Sequence, residues 1–349
     1  MEAIREEISR NGPISFERFM ELALYGPGGF FAADKLRSVA TGDFLTSPEV
    51  SPLFGATLAR FVEAERERIG DPFTLVETGA GSGSLLRSLL TEIELDAWAV
   101  EVSLAARAAL SDLLPVSRVV DSLDLLPNGL RGVVIANEVV DNLPTALAQL
   151  TPGGWRERWV GLDDDKLVFV DAPVRPEVQK WLDRFAGPVE LGGWVECQLA
   201  ATEWLREILS RMTAGALLIV DYGELAENLS HRRADGTLRT YRLHHLGPHP
   251  LDEPGATDIT SDVNFSALIA VCEEAGWDCH LMRQDDFLEN WGLRERLADL
   301  RRQELAAAGT DESLRLQIRS QRTAGETLLH VRGLGDFRVL IARVGEPGG

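Results

Sequence analysis

The chain contains 349 residues, of which 45% are hydrophobic and 26% are charged, and this composition excludes a fibrous or low-complexity protein. The formal net charge of -20 repels phosphate backbones, so we expect no nucleic acid partner and favour a basic protein or a cationic side chain, although solubility alone also explains the acidity. The sequence shows no apolar signal segment, no apolar run of membrane-spanning length and no CxxC spacing. These features predict a soluble, cytoplasmic protein without membrane insertion.

The first 70 residues predict helices and one long loop. Residues 1–25 show the periodicity of two short amphipathic helices, and Ser15 is placed to cap the second. Residues 26–47 show little periodicity, which predicts a loop of the length often found in lids. A further helix is predicted from Ser51 to Arg68.

From residue 71 onward, short apolar runs alternate with helical stretches. The predicted strands cover residues 73–77, 97–102, 118–120, 132–137, 216–222, 278–282 and 337–343. The predicted helices cover residues 84–92, 104–113, 200–212, 265–275 and, as one stretch, about 294–330. Strands that alternate with helices form βαβ units, so the pattern predicts an α/β fold with a mostly parallel sheet.

Two segments interrupt this alternation. Residues 146–171 alternate apolar and polar positions between turns, which predicts antiparallel strands. Residues 224–262 are rich in Gly, Pro, His and Asp and predict a second insertion, on the substrate side. The chain therefore divides into an N-terminal helical segment with its loop, a cofactor-binding half of the sheet, an inserted antiparallel segment, and the second half of the sheet, at residues 1–70, 71–145, 146–199 and 200–349.

A glycine loop joins the first strand of the predicted sheet to its helix, with Gly79, Gly81 and Gly83 at alternate positions. Such a loop lets backbone N–H groups approach a ligand closely. The dinucleotide fingerprint GxGxxG requires glycine where this chain has Ser84. Glu77 suits the ammonium group of S-adenosylmethionine but would repel a pyrophosphate. We therefore favour S-adenosylmethionine, with a nicotinamide-dependent oxidoreductase and a glycine turn without a ligand as the alternatives.

Polar residues after the following strands extend this cofactor site. Glu101 follows the glycine loop by about 20 residues, the separation at which an acidic side chain accepts hydrogen bonds from ribose hydroxyls. Asp121 and Ser122 are placed to meet the adenine edge, and Asn137 offers a donor and an acceptor to the methionine end. The predicted cofactor-binding residues of the sheet are Glu77, Gly79, Ala80, Gly81, Gly83, Glu101, Val102, Asp121, Ser122 and Asn137.

Two carboxylates follow the strand that ends at Asn137. Glu138 and Asp141 lie three residues apart, on one side of the chain if it coils there. Together they could hold a planar guanidinium group and help to take its proton, which predicts an arginine as methyl acceptor and both residues as catalytic. The alternative is that Asn137 caps a helix and the carboxylates carry surface charge.

The cluster of histidines at positions 244, 245 and 249 suggests a metal site as one hypothesis. They lack compact ligand spacing and the HExxH pattern, so we favour hydrogen bonding in a loop or substrate contact, and predict no metal. The tryptophans at positions 155, 159, 181, 194 and 204 are assigned to core packing or an interface rather than to stacking on a base.

Eight segments distributed over most of the chain stand out together. They read ISFERFMELALYGPGGFF (14–31), GDFLTSPEVSPLFG (42–55), ETGAGSGSL (77–85), NEVVDNLP (137–144), VDYGE (220–224), GTLRTYRLH (236–244), PGATDITSDVNFSAL (254–268) and GLGDFRVL (333–340). On the combination of GDFxTSPE, NExxDxLP and GTLRxYxxH, the chain resembles the MidA-type S-adenosylmethionine-dependent methyltransferases. That family includes a mitochondrial assembly factor for respiratory complex I.

The resemblance implies a class I methyltransferase, with a Rossmann-like, mostly parallel sheet, an N-terminal helical segment and an inserted substrate-binding region. In the mitochondrial member it implies symmetric dimethylation of an arginine in a complex I subunit. We therefore expect a protein substrate, with a subunit of a respiratory complex as one candidate. The resemblance places Gly42, Asp43, Phe44 and residues 46–49, which include Pro48, over the cofactor, with Asp43 among the catalytic residues. It also places Tyr222 and His244 on the acceptor side.

Departures from the family pattern concern the acceptor pocket. The family often has Tyr-Tyr at Phe30-Phe31, alanine at Asn142, histidine at Asp262 and aspartate at Asn264. We expect cofactor binding to survive these changes and the acceptor pocket to differ. The alternatives to a protein-arginine methyltransferase are a cofactor-binding assembly or interaction factor with little turnover and, less favoured, a small-molecule methyltransferase.

Overall fold

The computed structural model describes residues 2–32, 46–229, 234, 236–242 and 245–345. Its helices are α1 (Glu2–Asn11), α2 (Phe16–Tyr25), α3 (Ser47–Val50), α4 (Leu53–Ile69), α5 (Ser84–Glu92), α6 (Leu104–Leu110), α7 (Pro176–Phe185), α8 (Leu199–Arg211), α9 (Ala226–Leu229), α10 (Phe265–Glu274), α11 (Gln284–Asn290), α12 (Leu293–Ala307) and α13 (Glu312–Leu328). Among the described residues, no helix is long and apolar enough to cross a membrane.

The strands fall into one large sheet and three smaller ones. They are β1 (Ile14–Ser15), β2 (Thr74–Thr78), β3 (Asp96–Val100), β4 (Val119–Val120), β5 (Leu130–Asn137), β6 (Ala146–Thr151), β7 (Gly154–Asp163), β8 (Lys166–Ala172), β9 (Trp194–Cys197), β10 (Met212–Asp221), β11 (Gly223–Glu224), β12 (Arg239–Arg242), β13 (His245–Leu246), β14 (Asp258–Thr260), β15 (Val263–Asn264), β16 (Asp278–Arg283) and β17 (Arg338–Val344).

The central sheet has the strand order β16-β17-β10-β5-β2-β3-β4. Strand β17 runs antiparallel to both of its neighbours, whereas β10, β5, β2, β3 and β4 pair in parallel. One apolar cluster joins the sheet to α4, α5, α12 and α13, and a second joins it to α8 and α10. Because helices cover both faces, the strands are apolar on both sides, and their carboxyl ends meet at one edge where a ligand can bind.

Residues 146–197 contribute most of a second, antiparallel sheet. It has the order β1-β7-β6-β9, and β8 pairs with β7. Strand β1 pairs through Ile14 and Ser15 with Val160 and Trp159, so the N-terminal segment is bound into this sheet. Farther along the chain, β13-β12-β14 and β11-β15 form two small sheets beside the end of β10. The antiparallel strands predicted for residues 146–171 are therefore observed.

Several predicted elements differ from the observed ones. The helix predicted over residues 294–330 is two helices, because Gly309 has φ +75° and Asp311 caps α13 by accepting from the Leu314 N–H. The helix predicted to reach residue 113 ends at Leu110. The pattern did not predict the helices α7 and α11 or the strand β9. Ser15 caps α2 as predicted, accepting from the Arg18 N–H at 3.2 Å.

Candidate active site

A cavity of about 480 Å³ lies at the carboxyl ends of β2, β3, β4 and β5. Nine of the ten cofactor-binding residues predicted for the sheet line it, namely Glu77, Gly79, Ala80, Gly81, Glu101, Val102, Asp121, Ser122 and Asn137. Pro48 and Glu138 line it as well. Gly83, Asp141 and Tyr222 are not among its lining residues. Gly42, Asp43, Phe44 and His244 lie outside the described residues, so the roles predicted for them stay predictions.

The glycine loop leaves β2 in a left-handed conformation. Gly79 and Gly81 have φ values of 64° and 51°, and the Gly79 N–H donates to the Val100 carbonyl at 2.8 Å. A Cβ at Gly79 would lie 2.5 Å from Cγ2 of Val139. Gly83 instead caps α5 with φ +78°, where a Cβ would lie 2.9 Å from Cδ2 of Leu110. The first two glycines therefore shape the cavity wall, and the third allows close packing of helices.

Two carboxylates border this loop. Glu101 accepts hydrogen bonds from the Gly81 N–H at 2.8 Å and the Ser103 N–H at 2.7 Å, so its position at the end of β3 is fixed. Glu77 is 4% exposed, and its Oε2 has no hydrogen-bond partner. Burial raises the pKa of both carboxyls, and it raises that of Glu77 well above the usual range. A buried acceptor without a donor suits a cationic ligand group such as an ammonium.

The segment after β4 forms another part of the wall. Ser122 accepts from the Asp124 N–H at 3.3 Å and begins a short 3₁₀ turn. The Asp121 side chain is largely exposed and lies 3.9 Å from Arg107. Val102, which lines the cavity, is 54% exposed, so an apolar face beside these polar groups is open to a ligand.

Glu138 follows β5 in an unusual backbone conformation. Its φ is 53°, and its N–H donates to the Val220 carbonyl at 2.8 Å. Oε1 of Glu138 accepts from the Asn137 amide and from the Ser47 N–H, both at 3.3 Å. Burial first, and then the Asp141 charge, raises the pKa of Glu138 to about 8. Left-handed non-glycine residues cost about 1 kcal/mol or more and cluster at functional sites.

Asp141 lies beside this wall but is not part of the cavity lining. Its Oδ2 accepts from the Tyr222 hydroxyl, while Oδ1 is buried without a partner. Burial raises the pKa of Asp141 to about 7. Asp221, which is fully buried, accepts from the Val140 and Asp141 N–H groups at 2.9 and 3.2 Å. The carboxylate of Asp221 thus fixes the turn that holds Asp141.

The family resemblance places residues 46–49 over the cofactor, whereas sequence reasoning missed Trp204 and Glu207 as residues of this site. Glu49 lines the cavity, accepting from the Thr46 N–H and the Ser82 hydroxyl, each at 3.4 Å. Its signal is the Thr-Ser-Pro-Glu capping box that begins α3. Trp204, assigned from the sequence to packing, and Glu207 also line the cavity. Their positions three apart on α8 place them on one helix face, but the pattern does not show which wall that face meets.

The departures from the family pattern have local structural explanations. Asn142 donates from its amide to Oδ1 of Asp258 at 2.8 Å. Asp262 forms an ion pair with Arg239 at 2.6 Å. Asn264 caps α10 by accepting from the Ala267 N–H at 3.3 Å. These side chains are buried and satisfied by neighbouring protein groups, so the altered positions stabilise the segments beside the cavity.

The histidine segment shows a packing contact. The ring of His249 lies 5.6 Å from the ring of Phe169, in an edge-to-face arrangement. Within residues 2–32, 46–229, 234, 236–242 and 245–345, no group of three His, Cys, Asp or Glu side chains could hold a metal ion.

The residues of the cavity fit S-adenosylmethionine. Glu77 Oε2 and Asn137 Oδ1 are buried acceptors without donors, as an ammonium requires, and Glu101 stands at the strand end where a ribose binds. A sheet with one antiparallel strand, a glycine loop after β2 and this acidic cavity define a class I S-adenosylmethionine-dependent methyltransferase.

Comparison with protein families agrees with this class. Residues 55–283 match the family Methyltransf_28, described as S-adenosyl-L-methionine-dependent methyltransferases. Since the match covers more than half of the chain, the protein belongs to this family.

Named relatives extend over most of the chain. The mitochondrial protein arginine methyltransferase NDUFAF7 of Rattus norvegicus is 31% identical, over 89% of this chain and 77% of its own length. The Homo sapiens protein of the same name is 29% identical, over 95% of this chain and 80% of its own length.

Solved structures share the whole fold. A Burkholderia thailandensis protein, described as a methyl transferase and crystallised bound to S-adenosyl-homocysteine, is 32% identical with a TM-score of 0.85. The similarity covers 100% of this chain and 92% of that one. A native crystal structure of a superfamily member from the same organism gives a TM-score of 0.83 at 31% identity.

Proposed function

We propose that this enzyme transfers a methyl group from S-adenosylmethionine to an arginine side chain of a protein. The charge of the cavity is the observation that carries the proposal. Among the described residues that line it, no side chain is basic and seven are carboxylic acids, namely Glu21, Glu49, Glu77, Glu101, Asp121, Glu138 and Glu207. Such a cavity favours two cationic guests, a sulfonium cofactor and a protonated acceptor.

The carboxylates after β5 suit a guanidinium group in particular. Asp141 Oδ1 is a buried acceptor without a donor, and Glu138 lies three residues before it. A guanidinium presents several N–H donors in one plane and can meet two carboxylates at once. Relatives whose similarity covers 89% and 95% of this chain are named protein arginine methyltransferases, which supports arginine as the acceptor.

Bound S-adenosylmethionine would supply a methyl group on a sulfonium already activated for displacement. Glu77 and Asn137 would hold its ammonium group with their unpaired buried oxygens, and Glu101, held in place by the Gly81 N–H, would accept from its ribose hydroxyls. Glu138, which lines the cavity, would orient the acceptor nitrogen in line with that methyl group, and the buried Asp141 would support it from behind the cavity wall. Because the methylated guanidinium has gained a substituent, one N–H proton must leave, and the carboxylate of Glu138 would accept it.

Replacing Glu138 by Gln tests this role. Glutamine keeps the size and an acceptor oxygen but cannot take a proton, so we expect methyl transfer to lysate protein to fall at least about 100-fold. We expect the Kd for S-adenosylhomocysteine to change less than about threefold, since Glu138 contacts the acceptor side. Scintillation counting of labelled protein and titration calorimetry measure the two quantities.

Glu21→Gln is the matched control. Glu21 also lines the cavity, but it is exposed and pairs with Arg18 at 2.8 Å. We expect this variant to keep methyl transfer within about twofold. Full activity in Glu138→Gln would contradict the proposal. Absence of turnover in the unaltered protein, with cofactor binding intact, would instead support the alternative of an assembly factor.

For the setting of the reaction, we propose a cytoplasmic location and a protein acceptor, with respiratory-complex subunits as the first class to examine. Cys197, Cys272 and Cys279 form no disulfide bond in the described part of the chain, which supports a reducing compartment. The relatives named above are mitochondrial, so their location supplies no support for this part. Fractionation of source cells followed by immunoblotting tests it.

A further inference from the structure

Helix α8, which follows the antiparallel insertion in the chain, contributes an aromatic side chain to the cavity wall. Trp204 lines the cavity together with Val102, Asp121 and Ser122. The indole is half-buried and packs on the same apolar cluster as Leu123, a residue that also lines the cavity. A flat apolar side chain thus shares the cavity with the segment after β4.

A charged bridge fixes α8 against that segment. Arg211, only 12% exposed, donates to Oε1 of Glu207 at 3.1 Å and to Oδ1 of Asp124 at 2.9 Å. It also donates to the Leu126 carbonyl at 3.3 Å. Glu207 and Arg211 follow Trp204 by three and seven residues, so all three side chains lie on one face of α8. The bridge therefore holds the indole beside the turn that follows β4.

We propose that Trp204 is a cofactor-binding residue that packs its ring against the adenine of the cofactor. The cavity offers open apolar surface here, on the indole and on Val102, next to the polar edge of Asp121 and Ser122. A purine requires this combination, an apolar surface for its ring face and polar groups for its edge. The inference concerns the cofactor end of the cavity and is independent of the acceptor being arginine.

Binding of two adenine-containing ligands tests the inference without any acceptor. Trp204→Leu keeps apolar bulk but removes the aromatic face, so we expect the Kd values for S-adenosylhomocysteine and 5′-methylthioadenosine both to rise about tenfold. Trp204→Phe keeps a smaller aromatic ring, and we expect it to bind within about threefold of the unaltered protein. Titration calorimetry measures all of these values.

Trp155→Leu is the control, because Trp155 is also half-buried but packs on a different cluster and does not line the cavity. We expect its ligand affinities to stay unchanged. Unchanged affinity in Trp204→Leu would overturn the inference. So would a loss for S-adenosylhomocysteine without a loss for 5′-methylthioadenosine, since that result places the indole at the methionine end. A Trp204→Phe variant as weak as Trp204→Leu would likewise exclude a stacking role.

Discussion

Glu138 combines three properties that rarely occur together in one residue. Its backbone is left-handed, its carboxyl lines the cavity, and its pKa is raised to about 8 by burial and by Asp141. The backbone hydrogen bond to Val220 and the contact from the Ser47 N–H hold this conformation in place. Such strain is retained where the surrounding structure over-determines it, which is typical of reacting groups.

The raised pKa of Glu138 predicts how stability depends on pH. The folded protein holds a proton on this carboxyl that the unfolded chain loses near its ordinary value of 4.5. The contribution is therefore fully present below about pH 4.5 and is lost as pH rises toward about 8. We expect the melting temperature of the unliganded protein to fall between about pH 5 and 8, and to fall less in Glu138→Gln. Differential scanning calorimetry measures both profiles.

The same titration predicts activity in the opposite direction. If Glu138 accepts the proton of the acceptor, it must first be ionised, so methyl transfer should increase as pH rises through about 7 to 8.

For the stability prediction, a pH profile of the melting temperature that is identical in the unaltered protein and in Glu138→Gln would show that the carboxyl does not hold this proton.

Single residues were predictable where a local pattern defines a chemical role. Glu77 and Glu101 follow from their spacing to the glycine loop, and both line the cavity. Gly83 belongs to the same motif but packs against Leu110, because a GxGxG pattern does not distinguish a contact to ligand from a contact between helices. Trp204 and Glu207 were missed because their wall forms only when α8 packs across the turn after β4.

At the scale of elements, glycines allow the central strands to approach one another. A Cβ at Gly132 in β5 would lie 1.8 Å from the Thr74 carbonyl oxygen in β2, and a Cβ at Gly215 in β10 would lie 1.8 Å from the Gly132 carbonyl oxygen. The two glycines thus follow one line across three neighbouring strands. Rigid backbone on each side leaves no room for a side chain there.

Gly132→Ala tests this packing. The added methyl meets backbone rather than a movable side chain, so we expect the free energy of unfolding to decrease by at least about 3 kcal/mol. Gly153→Ala is the control, because the nearest atom to its Cβ would be Oγ1 of Thr151 at 3.8 Å. Urea denaturation followed by circular dichroism measures both. Equal stability of the two variants would contradict the strand packing.

Elements with strong local periodicity were predictable, and elements defined by tertiary contacts were not. The alternation of apolar runs and helices predicted the strands and the helices of the central sheet, because each strand is buried on both faces. The break between α12 and α13 depends on the backbone of Gly309 and the Asp311 cap, within an otherwise helical composition. The division into four segments stays a prediction, since strand pairing across β1 and β7 joins two of them.

At the scale of the whole molecule, part of the formal net charge of -20 is concentrated in the carboxylic acids that line the cavity. The cavity is lined by seven carboxylic acids and no basic side chain among the described residues, and Oε2 of the buried Glu77 has no hydrogen-bond partner. A cationic ligand would therefore stabilise the folded chain by mass action.

Ligand stabilisation separates the methyltransferase from the oxidoreductase alternative. At a concentration of S-adenosylhomocysteine about 100 times its Kd, we expect about 2.7 kcal/mol of added stability, seen as a raised melting temperature. NAD should produce no shift, because Glu77 repels its pyrophosphate. Differential scanning fluorimetry with each ligand makes the comparison, and a shift with NAD alone would exclude the cofactor assignment.

The acceptor is tested most directly by incubating the purified protein with a cell lysate and methyl-labelled S-adenosylmethionine, followed by tandem mass spectrometry of the labelled products. We expect the label on the guanidinium nitrogens of an arginine in one or a few proteins, and its loss with Glu138→Gln. Label on a small molecule, or on any residue other than arginine, would contradict the proposed function.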